Sequence, residues 1–384
     1  DMAPDRYEVT VIGEEPWGNY NRIMLSPVLS GEKTIEDIML HPHAWYSDKG
    51  IKFIADDPAI KIDRTRKVVH TQKGESVDYD RLIIATGSSP FIPPVQGVDL
   101  KGVISFRDIY DVNTMIKYCE TKKNAVVIGG GLLGLEAAYG LKQRGMNVTV
   151  LHLMDRIMER QLDGRASRML RQSIEEKGIN IITEANTEAL IGKDGHVNQV
   201  RLKDGTVLDA DLVVFAVGIR PNIALAQSAG LRCNRGILVN DTMQTFDPSI
   251  YAVGECIEHR NQTFGLVEPL WGQAFICATH LAEHGSLTFK SPTVPTQLKV
   301  SGVDVFSAGN FEPKEDYEDI ILNDEKRQIY KRIIIQKDKV IGAVLFGDTE
   351  DGMWYAELIA DQTPISTFRN KLLFGKDFAM KKAG

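Results

Sequence analysis

The sequence predicts an α/β fold in which one parallel-sheet domain is inserted into another and a small α+β domain follows. Three observations carry this prediction. An apolar strand at 126–128 runs into a glycine-rich turn that opens a helix, and similar strands ending in small residues occur on both sides of it. After about residue 287, alternating strands replace this pattern, and residues 330–346 predict a hairpin with its turn at 337–339. We expect one domain at 1–105 with 238–290, an inserted domain at 106–237, and a third at 291–384.

Length, composition and charge limit the possible functions. The 384 residues suffice for two or three domains, and 43% hydrophobic with 25% charged residues is typical of a globular protein. A formal charge of −7 disfavours partners such as nucleic acid or an anionic membrane. No apolar run approaches the ~20 residues of a membrane helix, and residues 1–5 lack the layout of a signal peptide. We expect a cytoplasmic protein.

The central glycine motif, residues 129–134, predicts a dinucleotide site. In its G-x-G-x-x-G spacing, Gly129 suits the tight turn, Gly131 lets backbone N–H groups reach a pyrophosphate, and Gly134 lets helix and strand pack closely. The phosphates would lie at the helix N-terminus. A chance glycine-rich turn is the alternative. The complete strand–helix–strand unit disfavours it, since a second apolar strand follows at 148–151.

The N-terminal segment shows half of a second dinucleotide motif. A strand at 7–12 precedes Glu14, which matches the ribose-binding acid expected about 20 residues after the glycines of such a motif. The glycines themselves are absent. We expect residues 1–5 to be the tail of a first helix, and the sequence to be an incomplete copy whose first strand and glycine turn lie upstream. A doubly wound sheet without its central strand would leave unpaired neighbours and exposed apolar faces.

Three further strands end in small residues. One strand leads into Ala85, Thr86 and Gly87, a second into Gly218, and a third into Gly254. Such turns let the chain pass close to a cofactor without side-chain obstruction. Taken alone, they are equally well explained as ordinary loops.

The four cysteines have no spacing that indicates a site. Cys119, Cys233, Cys256 and Cys277 lie far apart. This spacing argues against a disulfide framework, a zinc or iron–sulfur site and a redox-active dithiol. We predict no metal site and expect most of these cysteines to be small core residues.

The order of these motifs resembles the two-dinucleotide-domain flavoprotein reductases, the pyridine nucleotide–disulfide oxidoreductase superfamily. The resemblance covers residues 6–286. Stretches 20–26, 151–163 and 297–309 resemble the FAD/NAD(P)H part of the NAD(P)H nitrite reductase large subunit and its rubredoxin and ferredoxin reductase relatives. The resemblance implies two Rossmann-like three-layer domains, a C-terminal α+β domain of a kind that often forms homodimers, and FAD with NAD or NADP as cofactors.

The resemblance also implies which residues bind FAD. Glu255 stands where the family more often has Asp, which keeps the carboxylate but lengthens its reach. Glu268 and Pro269 resemble the first turn of a helix, with Pro at its first position and its dipole aimed at the flavin. For Trp271 the alternative is a plain core aromatic. The implied FAD contacts are Glu14, Arg22, Ala59, Ala85, Thr86, Gly87, Arg107, Gly254, Glu255, Val267 and Trp271.

Because the resemblance assigns the flanking residues to FAD, it implies that the nicotinamide cofactor binds at the central motif and Gly218. Glu136 resembles the catalytic glutamate that the family places near the nicotinamide, although a first-turn acid that complements the helix dipole is the alternative. His152 stands where NAD-preferring proteins have an acid. Arg156 suits a 2′-phosphate, or is an ordinary surface arginine. The choice between NADH and NADPH stays open.

The implied chemistry is electron transfer without a thiol relay. Residues 20–30 contain no cysteine, and Pro27 stands where some relatives have a lysine. We expect hydride to pass from NAD(P)H to FAD and electrons to leave for an iron–sulfur or sirohaem partner, in the reductase part of a nitrite reductase system. Since the chain ends before any sirohaem region, we expect it to supply electrons without reducing nitrite itself. The alternative is a binding or regulatory module that has lost FAD.

Overall fold

The computed structural model describes residues 2–3, 5–285, 287–291, 295–300, 302–312 and 315–380, without the side chains of 299 and 300. In chain order the strands are β1 (Thr10–Ile12), β2 (Asn19–Tyr20), β3 (Met39–His41), β4 (Lys52–Ile54), β5 (Ala59–Asp63), β6 (Val68–Thr71), β7 (Ser76–Asp78), β8 (Leu82–Ile84), β9 (Ser88–Pro90), β10 (Val103–Ser105), β11 (Asn124–Ile128), β12 (Asn147–Leu151), β13 (Ile179–Ile182), β14 (Thr187–Lys193), β15 (His196–Leu202), β16 (Val207–Asp209), β17 (Leu212–Phe215), β18 (Ile219–Pro221), β19 (Ile237–Leu238), β20 (Ile250–Ala252), β21 (Ile257–His259), β22 (Gln262–Thr263), β23 (Thr296–Val300), β24 (Val303–Gly309), β25 (Glu318–Asp324), β26 (Ile329–Gln336) and β27 (Lys339–Phe346).

The helices alternate with these strands in the first two thirds of the chain. They are α1 (Leu25–Ser30), α2 (His43–Asp48), α3 (Ile109–Thr121), α4 (Leu132–Gln143), α5 (Gly164–Glu175), α6 (Ala224–Ser228), α7 (Val267–Leu281), α8 (Gly352–Ala360) and α9 (Lys376–Met380), with 3-10 helices at Arg22–Met24, Glu36–Ile38 and Arg369–Phe374. Among the described residues, none of these helices is both long and apolar enough to cross a bilayer.

The central unit, β10–β17 with α3–α5, is built on a parallel sheet of order β10-β17-β11-β12-β13. Its middle strands are buried on both faces and rich in valine, as parallel strands covered by helices usually are. Asp108 and Asp163 are the N-cap residues of two of its helices. The Asp108 side chain accepts the N–H of Asp111 in α3, and the Asp163 side chain accepts the N–H of Ala166 in α5. The antiparallel sheet β14–β16 adjoins this core.

The flanking unit, β1–β9 with β19–β22 and α7, contains three separate parallel pairs, one of which joins β19 to β21. β1 pairs with β4. β8 pairs with β20, although the whole central unit lies between these two strands in the sequence. The side chain of Ile83, in the middle of β8, is 47% exposed. The helix tail predicted at 1–5 is wrong for the described residues Met2, Ala3 and Asp5, which are not helical, while positions 1 and 4 lie outside the described residues.

The C-terminal unit, β23–β27 with α8 and α9, is an antiparallel sheet of order β23-β24-β27-β26-β25. The predicted hairpin is present. Its turn has only two residues, Lys337 and Asp338, both with positive φ as a type I′ turn requires. A hydrogen bond connects this unit with the central unit: the Tyr330 hydroxyl donates to Asp163 at 2.8 Å. The exact domain boundaries stay a prediction.

Candidate functional site

The central glycine motif forms a tight turn between β11 and α4. A Cβ on Gly134 would lie 1.9 Å from the carbonyl oxygen of Gly129, and one on Gly129 would lie 2.2 Å from that of Ala216. Only glycine fits these two positions. A Cβ on Gly131, by contrast, would meet no atom within 4 Å. The N-terminus of α4 therefore has an open approach for phosphate groups.

A loop is fixed to this turn by Gly130. Its N–H donates to Nδ1 of His152 at 3.0 Å, and its carbonyl accepts the N–H of Met158 at 3.0 Å. His152 is only 9% exposed, so its ring packs against the turn rather than projecting from it. The other ring nitrogen, Nε2, lies 3.1 Å from Oε2 of Glu159. Sequence reasoning missed Glu159, because it lies seven residues beyond the position at which an acid is expected.

Arg156 forms an ion pair with the C-terminal unit. Its side chain is 27% exposed, and Nη2 donates to Glu312 of the C-terminal unit at 2.7 Å. The buried Nε has no partner among the described residues. Both interpretations of Arg156, a 2′-phosphate contact and an ordinary surface arginine, stay predictions.

Glu136 lies in the second turn of α4 and contacts α1. The Ser26 hydroxyl donates to Glu136 Oε2 at 2.6 Å. Burial raises the pKa of the Glu136 carboxyl, and the hydrogen bond from Ser26 opposes that rise. Gly140 allows this close approach of the helices, because a Cβ there would lie 2.7 Å from Leu29 Cγ. Ser26 is thus a second residue that sequence reasoning missed.

A network of charged side chains begins at Arg22. Its Nη2 donates to Glu15 at 2.6 Å and its Nη1 to the carbonyl of Arg107 at 2.7 Å. The Tyr20 hydroxyl donates to the other Glu15 oxygen at 2.7 Å. The structure therefore brings the predicted Arg22 and Arg107 together. Glu15, which holds Arg22, was not predicted, and the predicted Glu14 beside it is exposed.

The network continues to Glu255. Arg107 Nη2 and the Ser88 hydroxyl both donate to Glu255 Oε2 at 2.6 Å. The side chains of Arg107 and Glu255 are 22% and 13% exposed, so this ion pair is largely removed from water. Glu255 thereby links the strand end at β20 with the residues that follow β8 and β10.

Two of the predicted small-residue turns lie side by side. Strands β9 and β18 pair antiparallel. The Thr86 hydroxyl donates to the Asn222 carbonyl, and the Asn222 side-chain amide donates back to the Thr86 carbonyl, both at 2.8 Å. Ala85 is exposed beside them, and Gly87 and Gly218 both have positive φ. These turns are a joint between the flanking and central units rather than independent loops.

The third small-residue turn lies against α7. Gly254 has a φ of 93°, and a Cβ there would meet no atom within 4 Å. Its N–H donates to Gln273 Oε1 at 2.8 Å, while Nε2 of the fully buried Gln273 has no partner among the described residues. This open backbone next to a buried amide is a polar cradle.

Helix α7 begins earlier than expected. It starts at Val267, so Pro269 is its third residue rather than its first; the first turn still tolerates proline because its N–H groups have no intrahelical partner. Trp271 is 70% exposed, so the core alternative for this residue is wrong. Ala59, at the start of β5, is half-buried.

Two neighbouring aspartates at the start of α3 lie close to Arg107. Asp111 accepts the N–H of Arg107 at 2.6 Å. Burial, together with the negative charge of Asp108, raises the pKa of Asp111 to about 6. This carboxyl therefore titrates close to neutral pH.

The cysteines are free thiols with depressed reactivity. Cys256 and Cys277 are buried, and burial raises the pKa of Cys277 to about 12. A thiol with such a pKa is a poor nucleophile at neutral pH. Within the described residues, no three His, Cys, Asp or Glu side chains converge as a metal site would require.

The residues present fit a dinucleotide and a flavin. Open space at Gly131, Gly218 and Gly254 admits a ligand against bare backbone. Arg22 and Arg107 supply two cations for a pyrophosphate. The cradle at Gln273 offers a buried amide donor to a ligand.

Comparison with known proteins agrees with this geometry. The family model described as pyridine nucleotide-disulphide oxidoreductase matches residues 1–274, and the rubredoxin NAD+ reductase C-terminal domain matches residues 295–363. Nitrite reductase (NAD(P)H) of Bacillus subtilis is 48% identical over 95% of this chain and 45% of that protein. The assimilatory nitrate reductase electron transfer subunit of the same organism is 42% identical over 96% of this chain and 48% of that protein.

A solved structure shows the same fold. NADH:rubredoxin oxidoreductase from Clostridium acetobutylicum superposes with a TM-score of 0.81 and 27% identity, over 95% of this chain and 92% of that one. The chain spans about half the length of the two Bacillus relatives. The predicted likeness to nitrite and rubredoxin reductases and the predicted α/β fold are confirmed. The chain belongs to the pyridine nucleotide-disulphide oxidoreductase family.

Proposed function

We propose that this chain accepts hydride from NAD(P)H on FAD and passes the electrons to an iron–sulfur or sirohaem partner, as the reductase part of a nitrite reductase system. The observation that carries the proposal is the arrangement of α4, which presents an open glycine turn at its N-terminus and Glu136 one turn later against Ser26. The names of the two Bacillus relatives, a nitrite reductase and an electron transfer subunit of assimilatory nitrate reductase, support electron transfer in such a pathway. A homodimer stays a prediction.

The proposed FAD site lies in the flanking unit and is completed by Arg107, which follows β10 of the central unit. Arg22 and Arg107 neutralise the pyrophosphate, and Glu255 keeps Arg107 in position. Trp271 and Val267 provide apolar surface for the ring system, next to the N-terminus of α7. The remaining proposed contacts, through a ribose, bare backbone or a small side chain, are Glu14, Ala59, Ala85, Thr86, Gly87 and Gly254.

The central unit is the proposed NAD(P)H site. Gly129 and Gly134 shape the turn, Gly131 admits the pyrophosphate, and the exposed backbone at Gly218 borders the same space. Glu136 is the proposed polar contact of the nicotinamide, with one carboxylate oxygen held by Ser26. When bound, FAD supplies a hydride acceptor that can release single electrons.

The test uses the full-length gene product loaded with FAD under anaerobic conditions. We expect a flavin spectrum that NADH or NADPH bleaches, and that returns when an oxidised one-electron acceptor is added. A protein that retains FAD but is bleached by neither nucleotide would overturn the reductase function. A protein that holds no FAD but still binds NADH would favour the regulatory alternative.

A further inference from the structure

The adenosine end of the nucleotide site has a carboxylate that does not come from the usual position. β12 ends at Leu151, and the next residue is His152, whose ring is turned inward. In a dinucleotide fold an acid at this strand end selects NAD by binding the ribose 2′-OH. Among the described residues, the carboxylate that contacts His152 is that of Glu159.

The loop that carries Glu159 is held rigidly against the glycine turn. Both backbone groups of Gly130 are used to hold it, the N–H by His152 and the carbonyl by Met158. A Cβ on Gly130 would lie 2.8 Å from His152 Cγ and 2.9 Å from Ile157 Cγ2, so the loop packs directly onto the turn. Met158 has a φ of 53°, a left-handed conformation that reverses the chain just before Glu159. These contacts fix the direction from which Glu159 approaches.

The tautomer of His152 follows from its two contacts. Nδ1 accepts the Gly130 N–H, so this nitrogen carries no proton. The proton of the neutral ring is therefore on Nε2, which donates to Glu159 Oε2. The pair then consists of a neutral imidazole and a carboxylate, with a net charge of −1. The Glu159 side chain remains 25% exposed, so its charge can act on a ligand bound beside the turn.

The cations nearby do not cancel this charge strongly. Arg160 Nε lies 4.0 Å from Glu159 Oε1, but its side chain is 85% exposed, and such pairs contribute little. Arg156 is bound by Glu312 of the C-terminal unit. Neither arginine therefore forms a strong ion pair with Glu159.

We propose that Glu159, positioned by His152, takes the place of the ribose-binding acid and makes this chain select NADH over NADPH. The inference rests on the proposed nucleotide site and specifies which nucleotide it takes. Glu159 acts in two ways. Its carboxylate accepts a hydrogen bond from the ribose 2′-OH, and its charge repels a 2′-phosphate.

The test measures binding rather than turnover. Isothermal titration calorimetry of the FAD-loaded full-length gene product compares ADP-ribose with 2′-phospho-ADP-ribose. We expect the wild type to bind ADP-ribose more tightly, and Glu159→Gln to reduce the ratio of the two affinities by about tenfold. Glu159→Asp, which keeps the charge, should retain more of the ratio than Glu159→Gln. Circular dichroism establishes that each variant is folded.

A matched control is Glu188→Gln. Glu188 lies in the same unit and is also paired with an arginine, Arg201, at 2.6 Å, but it is on β14, a separate sheet. We expect no change of the ratio. Tighter binding of 2′-phospho-ADP-ribose by the wild type, or an unchanged ratio in Glu159→Gln, overturns the inference. Failure to bind either compound instead overturns the proposed nucleotide site.

Discussion

The Ser26 hydroxyl holds Glu136, 110 residues away in sequence, by a 2.6 Å hydrogen bond between α1 and α4. A half-buried carboxylate is thus paired with a neutral donor rather than with a cation. Because burial disfavours the charged form, the pKa of Glu136 is raised. The electrostatics of this part of the site therefore depend on a single hydroxyl group.

Ser26→Ala should destabilise the protein by about 1 kcal/mol, because it leaves a half-buried acceptor without its donor. Ser30→Ala is the matched control, since Ser30 lies on the same helix and its hydroxyl contacts only exposed or local groups. Urea unfolding at neutral pH measures both variants. Equal loss in the two would show that the Ser26 contact contributes nothing specific.

The raised pKa of Glu136 determines the direction in which the stability of the fold changes with pH. A carboxyl with a raised pKa in the folded state stabilises the fold at low pH, and that contribution is lost as pH rises through the folded pKa. Wild type should therefore lose stability relative to Glu136→Gln as pH increases, and Ser26→Ala should lose more. Thermal unfolding between pH 4 and pH 9 tests this expectation. A difference that does not change with pH contradicts it.

Gly131→Ala and Gly134→Ala should behave differently, although both change the same motif. A Cβ at 134 collides with backbone, whereas one at 131 enters open space. We expect Gly134→Ala to lose stability, and Gly131→Ala to unfold at nearly the wild-type temperature while losing affinity for NADH. Calorimetric unfolding and NADH titration measure the two effects. Normal NADH binding by Gly131→Ala would place the pyrophosphate elsewhere.

The Arg107–Glu255 pair should show strong coupling. Removing one partner of a largely buried pair leaves an uncompensated charge, so Arg107→Gln and Glu255→Gln should each cost about 3 kcal/mol. The double variant should cost less than the sum. The exposed pair Arg201–Glu188 is the control, with an expected coupling under about 1 kcal/mol. Additive losses at Arg107 and Glu255 in a urea-unfolding cycle would contradict the structure.

The raised pKa of Asp111 predicts a second dependence of folding stability on pH. Its pKa is raised to about 6 by burial and by Asp108, so its favourable contribution is complete below about pH 4 and is lost as pH rises through about 6. Relative to Asp111→Asn, the wild type should lose about 1 kcal/mol over this window, since the group keeps partial contact with water. Asp241, whose pKa Arg260 and His259 lower to about 2, should give the opposite sign in Asp241→Asn.

Short-range patterns in the sequence predicted the fold and the family well. The turn at 129–134 and the hairpin at Lys337–Asp338 are local, because neighbouring residues decide their backbone conformation. The start of α7 was misplaced by two residues, because proline is tolerated throughout a first turn.

The contacts that complete the site were not predictable. Ser26 meets Glu136, and Glu255 meets Arg107, only because separate units pack together. Glu159 was missed for another reason. His152 faces inward, and nothing in the sequence signals that its ring would contact a carboxylate from the following loop.

The most direct test of hydride transfer on this chain is single-turnover flavin bleaching with deuterated NADH. The FAD-loaded full-length gene product is mixed anaerobically with saturating NADH that carries deuterium on one or the other face of nicotinamide C4. We predict slower bleaching with one label and an unchanged rate with the other, because one face donates the hydride. Absence of bleaching, or equal rates with both labels and with unlabelled NADH, would contradict the account.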